Sequence, residues 1–259
     1  MLALERGVLG WAVGILLKGL YAKAEMKWAI VIFAIAGECG AIAQGTFQNL
    51  DFESANIPSS SSVNTPLAVS DGLPGWSAYY ISGTTQLPQP QVFYDGSSMA
   101  GPRISVVDAN VPDPALEPLQ GNYSAVLFGG LFSDSSLVSV GISQTGFVPI
   151  GTRSILVDAY APDGSFVVTL GGQTIDMVPL ESFVHYSLWG GNIPSSIAGQ
   201  TETLSFVEPA SSTIVPTTLE LDDISFSPTV VTPEPDAAVL MGIGGALFAV
   251  YRRFVPRRK

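Results

Sequence analysis

The chain is 259 residues long, 47% hydrophobic and only 13% charged, with 27 glycines and 19 prolines. That much Gly and Pro disfavours a helical bundle, because both residues break helix interiors, and it fits short strands joined by turns. Between Gln44 and Thr232 two arginines, Arg103 and Arg153, stand against 17 carboxylates, a net charge of −15 that repels a phosphate backbone and excludes nucleic acid as a partner.

In residues 1–25 an apolar run over 8–17 is interrupted by Lys18 and Lys23, short of the roughly 20 residues a membrane span requires. This stretch reads as an extension ahead of a true start at Met26; the other reading is an extra membrane segment. From Met26 onward, Lys27 forms a short positive region and residues 28–37 an apolar core of signal-peptide length. Ala41-Ile42-Ala43 then supplies a small-x-small cleavage site before Gln44. Residues 26–43 are therefore expected to be a cleaved signal helix. A lipoprotein reading of Cys39, the single cysteine, fails because Glu38 stands where a small residue is needed. Cleavage after Ala43 leaves a body without thiol chemistry.

Residues 44–232 are expected to form one all-β domain. Strand candidates are 46–52, 76–81, 123–128, 138–144, 154–160, 166–170, 173–177, 183–189, 202–207 and 218–226. Gly171-Gly172 between two of them is a two-residue hairpin signal. Phe166, Val168 and Leu170 alternate with Val167 and Thr169, as a half-buried strand requires. The serine run 59–62, Pro88-Gln89-Pro90 and Val111-Pro112-Asp113-Pro114 read as loops. Ten or more short strands at this spacing predict a β-sandwich.

At the C-terminus, Pro233-Glu234-Pro235 is followed by an apolar run over 237–250, then Tyr251, Arg252-Arg253 and Arg257-Arg258-Lys259. As a helix that run covers about 21 Å, short of a hydrocarbon core of roughly 30 Å, so it is a marginal transmembrane helix. Its basic end would stay cytoplasmic. Pro-Glu-Pro, short apolar helix and arginine cluster, in that order over 233–259, resemble the PEP-CTERM sorting signal of Gram-negative bacteria. The resemblance implies an exosortase-type processing enzyme as partner, a transient membrane anchor, and delivery to the cell surface or extracellular matrix.

Asn49-Leu50-Asp51-Phe52-Glu53, Pro74-Gly75-Trp76 and Leu221-Asp222-Asp223-Ile224-Ser225-Phe226 follow one another in an order similar to that of galactose-binding-like jelly rolls. The segments Ser143-Gln144-Thr145-Gly146 and Ala198-Gly199-Gln200-Thr201 resemble jelly-roll bodies joined to PEP-CTERM signals. In that family, carboxylates at the places of Glu53, Asp222 and Asp223 help hold a structural calcium. Hard oxygen ligands in an acidic body suit that ion; the alternative is that all three face solvent at strand ends.

No other cofactor is expected. His185, the only histidine, sits on the expected strand 183–189 and lacks a G-x-S-x-G serine or further metal ligands, so it reads as structural. Trp76, Tyr79, Tyr80, Tyr94, Tyr186 and Trp189 are the sugar-stacking candidates. Trp76 is expected in the core, and Trp189, beside Gly190-Gly191, is the better exposed. Asn122-Tyr123-Ser124 fits a glycosylation sequon but is uninformative in a bacterial setting. The chain thus reads as a non-catalytic secreted surface protein with a structural or adhesive role. The alternative is a carbohydrate-binding module for exopolysaccharide, favoured by an exposed aromatic cluster on one sheet face. More distant is a glycoside hydrolase, which needs a cleft holding two or more acidic residues.

Overall fold

A computed structural model of the protein describes residues 46–96, 101–111, 116–132, 134–210 and 216–232. The expected signal peptide with Ala41 and Ala43, residues 1–25, and the expected sorting signal with Pro233, Glu234, Pro235, Arg252 and Arg253 lie outside the described residues. Among the described residues no helix is long and apolar enough to cross a membrane.

Among the described residues, fourteen strands and one four-residue helical turn, α1 (Val69–Gly72), make the fold all-β. One half of the sheet runs β10 (Gln173–Ile175), β9 (Val167–Leu170), β13 (Thr201–Glu208), β7 (Leu137–Phe147), β2 (Ser77–Ser82) and β3 (Thr85–Gln89). The other runs β1 (Pro66–Ala68), β4 (Gln91–Tyr94), β5 (Arg103–Asp108), β6 (Tyr123–Leu131), β14 (Thr217–Ser227), β8 (Ser154–Tyr160), β12 (Ser187–Asn192) and β11 (Val178–Ser182). They join where Gly130 and Leu131 of β6 pair with Val138 and Leu137 of β7. All pairs are antiparallel except β4 with β5.

The sheet curls so that both halves turn their apolar positions to one core. Val140 and Ile142 of β7, Leu204 and Phe206 of β13, Leu127 of β6, Val157 of β8 and Leu219 and Leu221 of β14 are all fully buried. Each such side chain contributes roughly 1.5–3 kcal/mol of transfer free energy. Trp76 lies in this core as expected, stacked on Phe52 at 5.6 Å and tilted against Phe206 at 6.3 Å. The hairpin at Gly171-Gly172 is also present, with φ +60° and +74° at the two glycines. Only a residue without a Cβ takes that pair of left-handed conformations at little cost.

Four expectations are corrected. Residues 46–52 are not a strand: Asn49 and Phe52 have φ of +50° and +55°, which breaks the extended run. In its place, the Gln144 side chain acts as a strand neighbour for Gln48. It accepts from the Gln48 N–H and donates from Nε2 to the Gln48 carbonyl at 2.9 Å. Pro88-Gln89-Pro90 is not wholly loop, because Pro88 and Gln89 belong to β3, which pairs only with β2; a proline without an N–H is tolerated on such an edge. The expected strand 183–189 is cut by a turn, with Phe183 N–H donating to the Tyr186 carbonyl at 2.8 Å, so His185 lies in a hairpin turn rather than a strand. Finally, β1, β3, β4, β5 and β11 were not expected; β1, β3 and β11 are short sheet-edge strands with mostly exposed residues and little alternation to read.

Candidate functional site

The first and last segments do meet, as the order of motifs suggests, but their carboxylates hold chain. A bulge in β14 shifts its register against β8 between Asp222 and Ser225, with Asp223 at φ +44°. The bulge leaves Asp222 on the outer face of the second half of the sheet. There Asp222 Oδ2 accepts from the Gln120 N–H at 3.1 Å and the Ser124 hydroxyl at 2.8 Å, and its Oδ1 from the Asp223 N–H at 2.8 Å. Glu53 takes the neighbouring part of the same segment. It accepts from the Asn122 N–H at 2.6 Å, Asn122 Nδ2 at 2.8 Å and the Tyr123 N–H at 3.1 Å. Asp223 is exposed. Glu53 and Asp222 thus fasten residues 119–123 to the sheet, and among the described residues no three His, Cys, Asp or Glu side chains are grouped to hold a metal.

This fastening builds a cleft. Leu116 packs on Val107, Val126 and Phe128, a small apolar cluster on the outer face of β5 and β6. Residues 116–119 therefore form one wall, and the turn Val184-His185-Tyr186 the other. Tyr160 at the end of β8 and Glu220 of β14 complete a cavity of about 560 Å³. Gln120 ties the walls to the sheet, with Nε2 donating to Asp158 Oδ2 at 2.6 Å and to the Tyr186 hydroxyl at 3.1 Å. The turn is braced by Phe183 stacked on Tyr186 at 4.7 Å. Tyr160, which lines the cleft, is 38% exposed.

The cleft is acidic. Glu220 and Asp222 are each 2% exposed and Asp158 5%; in register, Asp222 faces Asp158 and Glu220 faces Tyr160 across the β14–β8 pair. Burial, then the charge of Asp222, pushes the Glu220 carboxyl up to about 8, against the pull of the Ser124 hydroxyl. Burial raises Asp222 to about 7 despite its hydrogen bonds. Asp158 is raised by burial and by Asp223, opposed by Gln120. Glu53 goes the other way: burial pushes it up, but the Asn122 and Tyr123 hydrogen bonds outweigh that and hold it below its ordinary value. Glu220 Oε1 is buried without a hydrogen-bond partner.

Of the expected stacking residues, Tyr186 reaches this cleft. Tyr79 does not: it is 5% exposed, its hydroxyl bonds Ser205, and its ring fills the space above Gly141. Tyr94 is buried with its hydroxyl donating to Asp108 at 2.9 Å, and Tyr80 donates to the Pro102 carbonyl at 3.1 Å. Trp189 is half-buried on β12 rather than beside an open loop, edge-on to Phe166 at 5.1 Å with its indole N–H unpartnered. It lines two smaller clefts of about 220 and 240 Å³. Glu220, Asp158, Gln120 and Tyr160 were not expected. In sequence, alternate polar residues on a strand signal a solvated face, and nothing local says that residues 116–120 cover it.

No family model matches the chain, and no curated protein matches it either. Among solved structures it is similar to the Stig cyclase FisC of Fischerella sp. TAU, in complex with a pyrrolidinylidene-indole, at 16% identity and TM-score 0.44 over 70% of this chain and 95% of that one. It is also similar to a family 11 carbohydrate-binding module of Clostridium thermocellum in complex with a β-1,3-1,4-mixed-linked tetrasaccharide. That match has 11% identity and TM-score 0.29 over 66% of this chain and 100% of that one. Likenesses at these TM-scores argue nothing about activity, and the functional reading rests on the cleft.

Proposed function

We propose that the protein is a secreted, non-catalytic glycan-binding module, built as a jelly-roll-like sandwich and delivered to the cell surface by the PEP-CTERM-type signal at 233–259. The observation that carries the binding reading is the cleft over β6, β14 and β8. It is preformed, rimmed by Tyr160 and Tyr186, and lined by the polar side chains of Glu117, His185 and Glu220. Sugar rings offer C–H faces to aromatic rings and hydroxyls to carboxyl and amide groups, and a site with few convergent polar groups among aromatics suits such a ligand. A bulk structural role alone would leave this face without need of a cavity.

A second reading, glycoside hydrolysis, is favoured by one observation: Glu220 and Glu117 line the same cleft, with Asp222 and Asp158 beside it. Both readings are tested together. Full-length protein is passed over insoluble polysaccharides and exopolysaccharide, with calcium or chelator, and the supernatant is assayed for new reducing ends. Saturable retention, weakened about tenfold by Tyr186→Ala and without new reducing ends, supports the module. Turnover supports the hydrolase. Retention unchanged in Tyr186→Ala and Tyr160→Ala overturns the assignment to this cleft.

A further inference from the structure

The floor of the cleft holds more acceptors than a neutral sugar calls for. Asp222 spends its oxygens on Gln120, Ser124 and Asp223, and Asp158 takes the Gln120 amide, but Glu220 Oε1 has no donor although Glu220 is 2% exposed and lines the cavity. Among the described residues no Lys or Arg lines the cleft. Of the two arginines in the body, Arg103 stacks on Phe93 at 4.3 Å and bonds Asn64, and Arg153 precedes β8 at the end away from Tyr160. A donor would satisfy that oxygen, and a cationic donor would also offset the acidic surroundings. A metal ion fits poorly, since the walls are Leu116, Leu119, Val184 and tyrosine rings and no three ligating side chains are grouped among the described residues. An ammonium fits well: it has three donors and no acceptor, and tyrosine faces attract it.

We infer that the cleft takes a ligand bearing a protonated amine, seated on Glu220 and flanked by Tyr160 and Tyr186. Resting on the glycan reading above, the ligand class is an amino sugar with a free amine. The groups facing Glu220 are Asp222 on its own strand, Asp158 and Tyr160 on β8, Ser124 on β6, Glu117 on the covering segment, and His185 and Tyr186 on the turn. Burial keeps Glu220 largely protonated near neutral pH in the free protein. An arriving ammonium favours the ionised carboxyl, so binding releases a proton from the carboxyl to solvent while the amine keeps its own.

The test is titration calorimetry of the full-length chain near pH 6 in two buffers of different ionisation enthalpy. The probes are a glucosamine tetramer, its N-acetylated counterpart and methylammonium. The expected result is that the free-amine tetramer binds about tenfold or more tightly than the acetylated one, with net proton release. That preference disappears in Glu220→Gln but survives in Glu202→Gln, which removes the same charge from the other half of the sheet. Equal binding of the two tetramers overturns the amine inference and leaves the glycan reading standing. Binding of methylammonium alone keeps the amine site and removes the glycan reading. Binding of no probe removes both.

Discussion

Replacing Glu220 with glutamine takes away one titrating carboxyl and keeps the shape of the side chain, so the pH dependence of folding isolates what burial does to it. In the native protein Glu220 is raised to about 8, while an unfolded chain ionises a glutamate near 4.3. Between those values the native state holds a proton that the unfolded state has released. Stability is therefore fully present below about pH 4.3 and falls as pH rises, by about 1.4 kcal/mol per pH unit, until it levels near pH 8. Between pH 5 and 7 this one group accounts for about 2.7 kcal/mol, or roughly 5–11 °C of Tm in a domain of this size. Asp222 and Glu208, each pushed up to about 7 by burial, act in the same direction and remain in the variant. Urea unfolding followed by tryptophan fluorescence at pH 5, 6 and 7 should show the wild-type curve falling more steeply than that of Glu220→Gln, by about 1.4 kcal/mol per unit. Parallel curves would mean that Glu220 is ionised in the folded protein, and the acidic floor as described would be wrong.

Two further outcomes test the parts that build the site. Gln144→Ala removes both hydrogen bonds that hold Gln48; it should cost about 1–3 kcal/mol and speed amide exchange in the 48–50 segment and at Ile224, whose N–H donates to the Leu50 carbonyl at 2.9 Å. Unchanged exchange there would refute the strand-neighbour role. Glu53→Ala frees residues 122–123 and should cost about 1 kcal/mol at neutral pH, with new protease cleavage in 119–123. Because Glu53 is held below its ordinary value, its contribution is present above that value and fades as pH falls through the lowered one. Protease resistance equal to wild type at pH 7 would refute the fastening.

The all-β class was legible because apolar residues alternate at period two in the long strands. Strands 154–160, 202–207 and 218–226 were read to within a residue of β8, β13 and β14. The Gly171-Gly172 hairpin and the core Trp76 were legible for equally local reasons, a left-handed pair of residues and an aromatic after a tight turn. The short edge strands were not, since β1, β3 and β11 have three to five mostly exposed residues each, and their pairing is decided by neighbours. The strand expected at 46–52 failed because its backbone is satisfied by a side chain 96 residues away.

What the sequence determined by itself, then, is what local chemistry dictates: strand periodicity, turn residues, an acidic thiol-free body, and the motif order that brings the first and last segments together. Only the tertiary structure decided what Glu220, Asp158 and Asp222 are. On β14 and β8 they occupy alternate outward positions, where a lone sheet would leave them solvated and ordinary. Leu116 anchored on Val107, Val126 and Phe128, with Asp222 and Glu53 holding residues 119–123, lays a covering segment over that face. Covering turns a wet strand face into a desolvated floor, and desolvation is what raises the carboxyls and shapes the cleft.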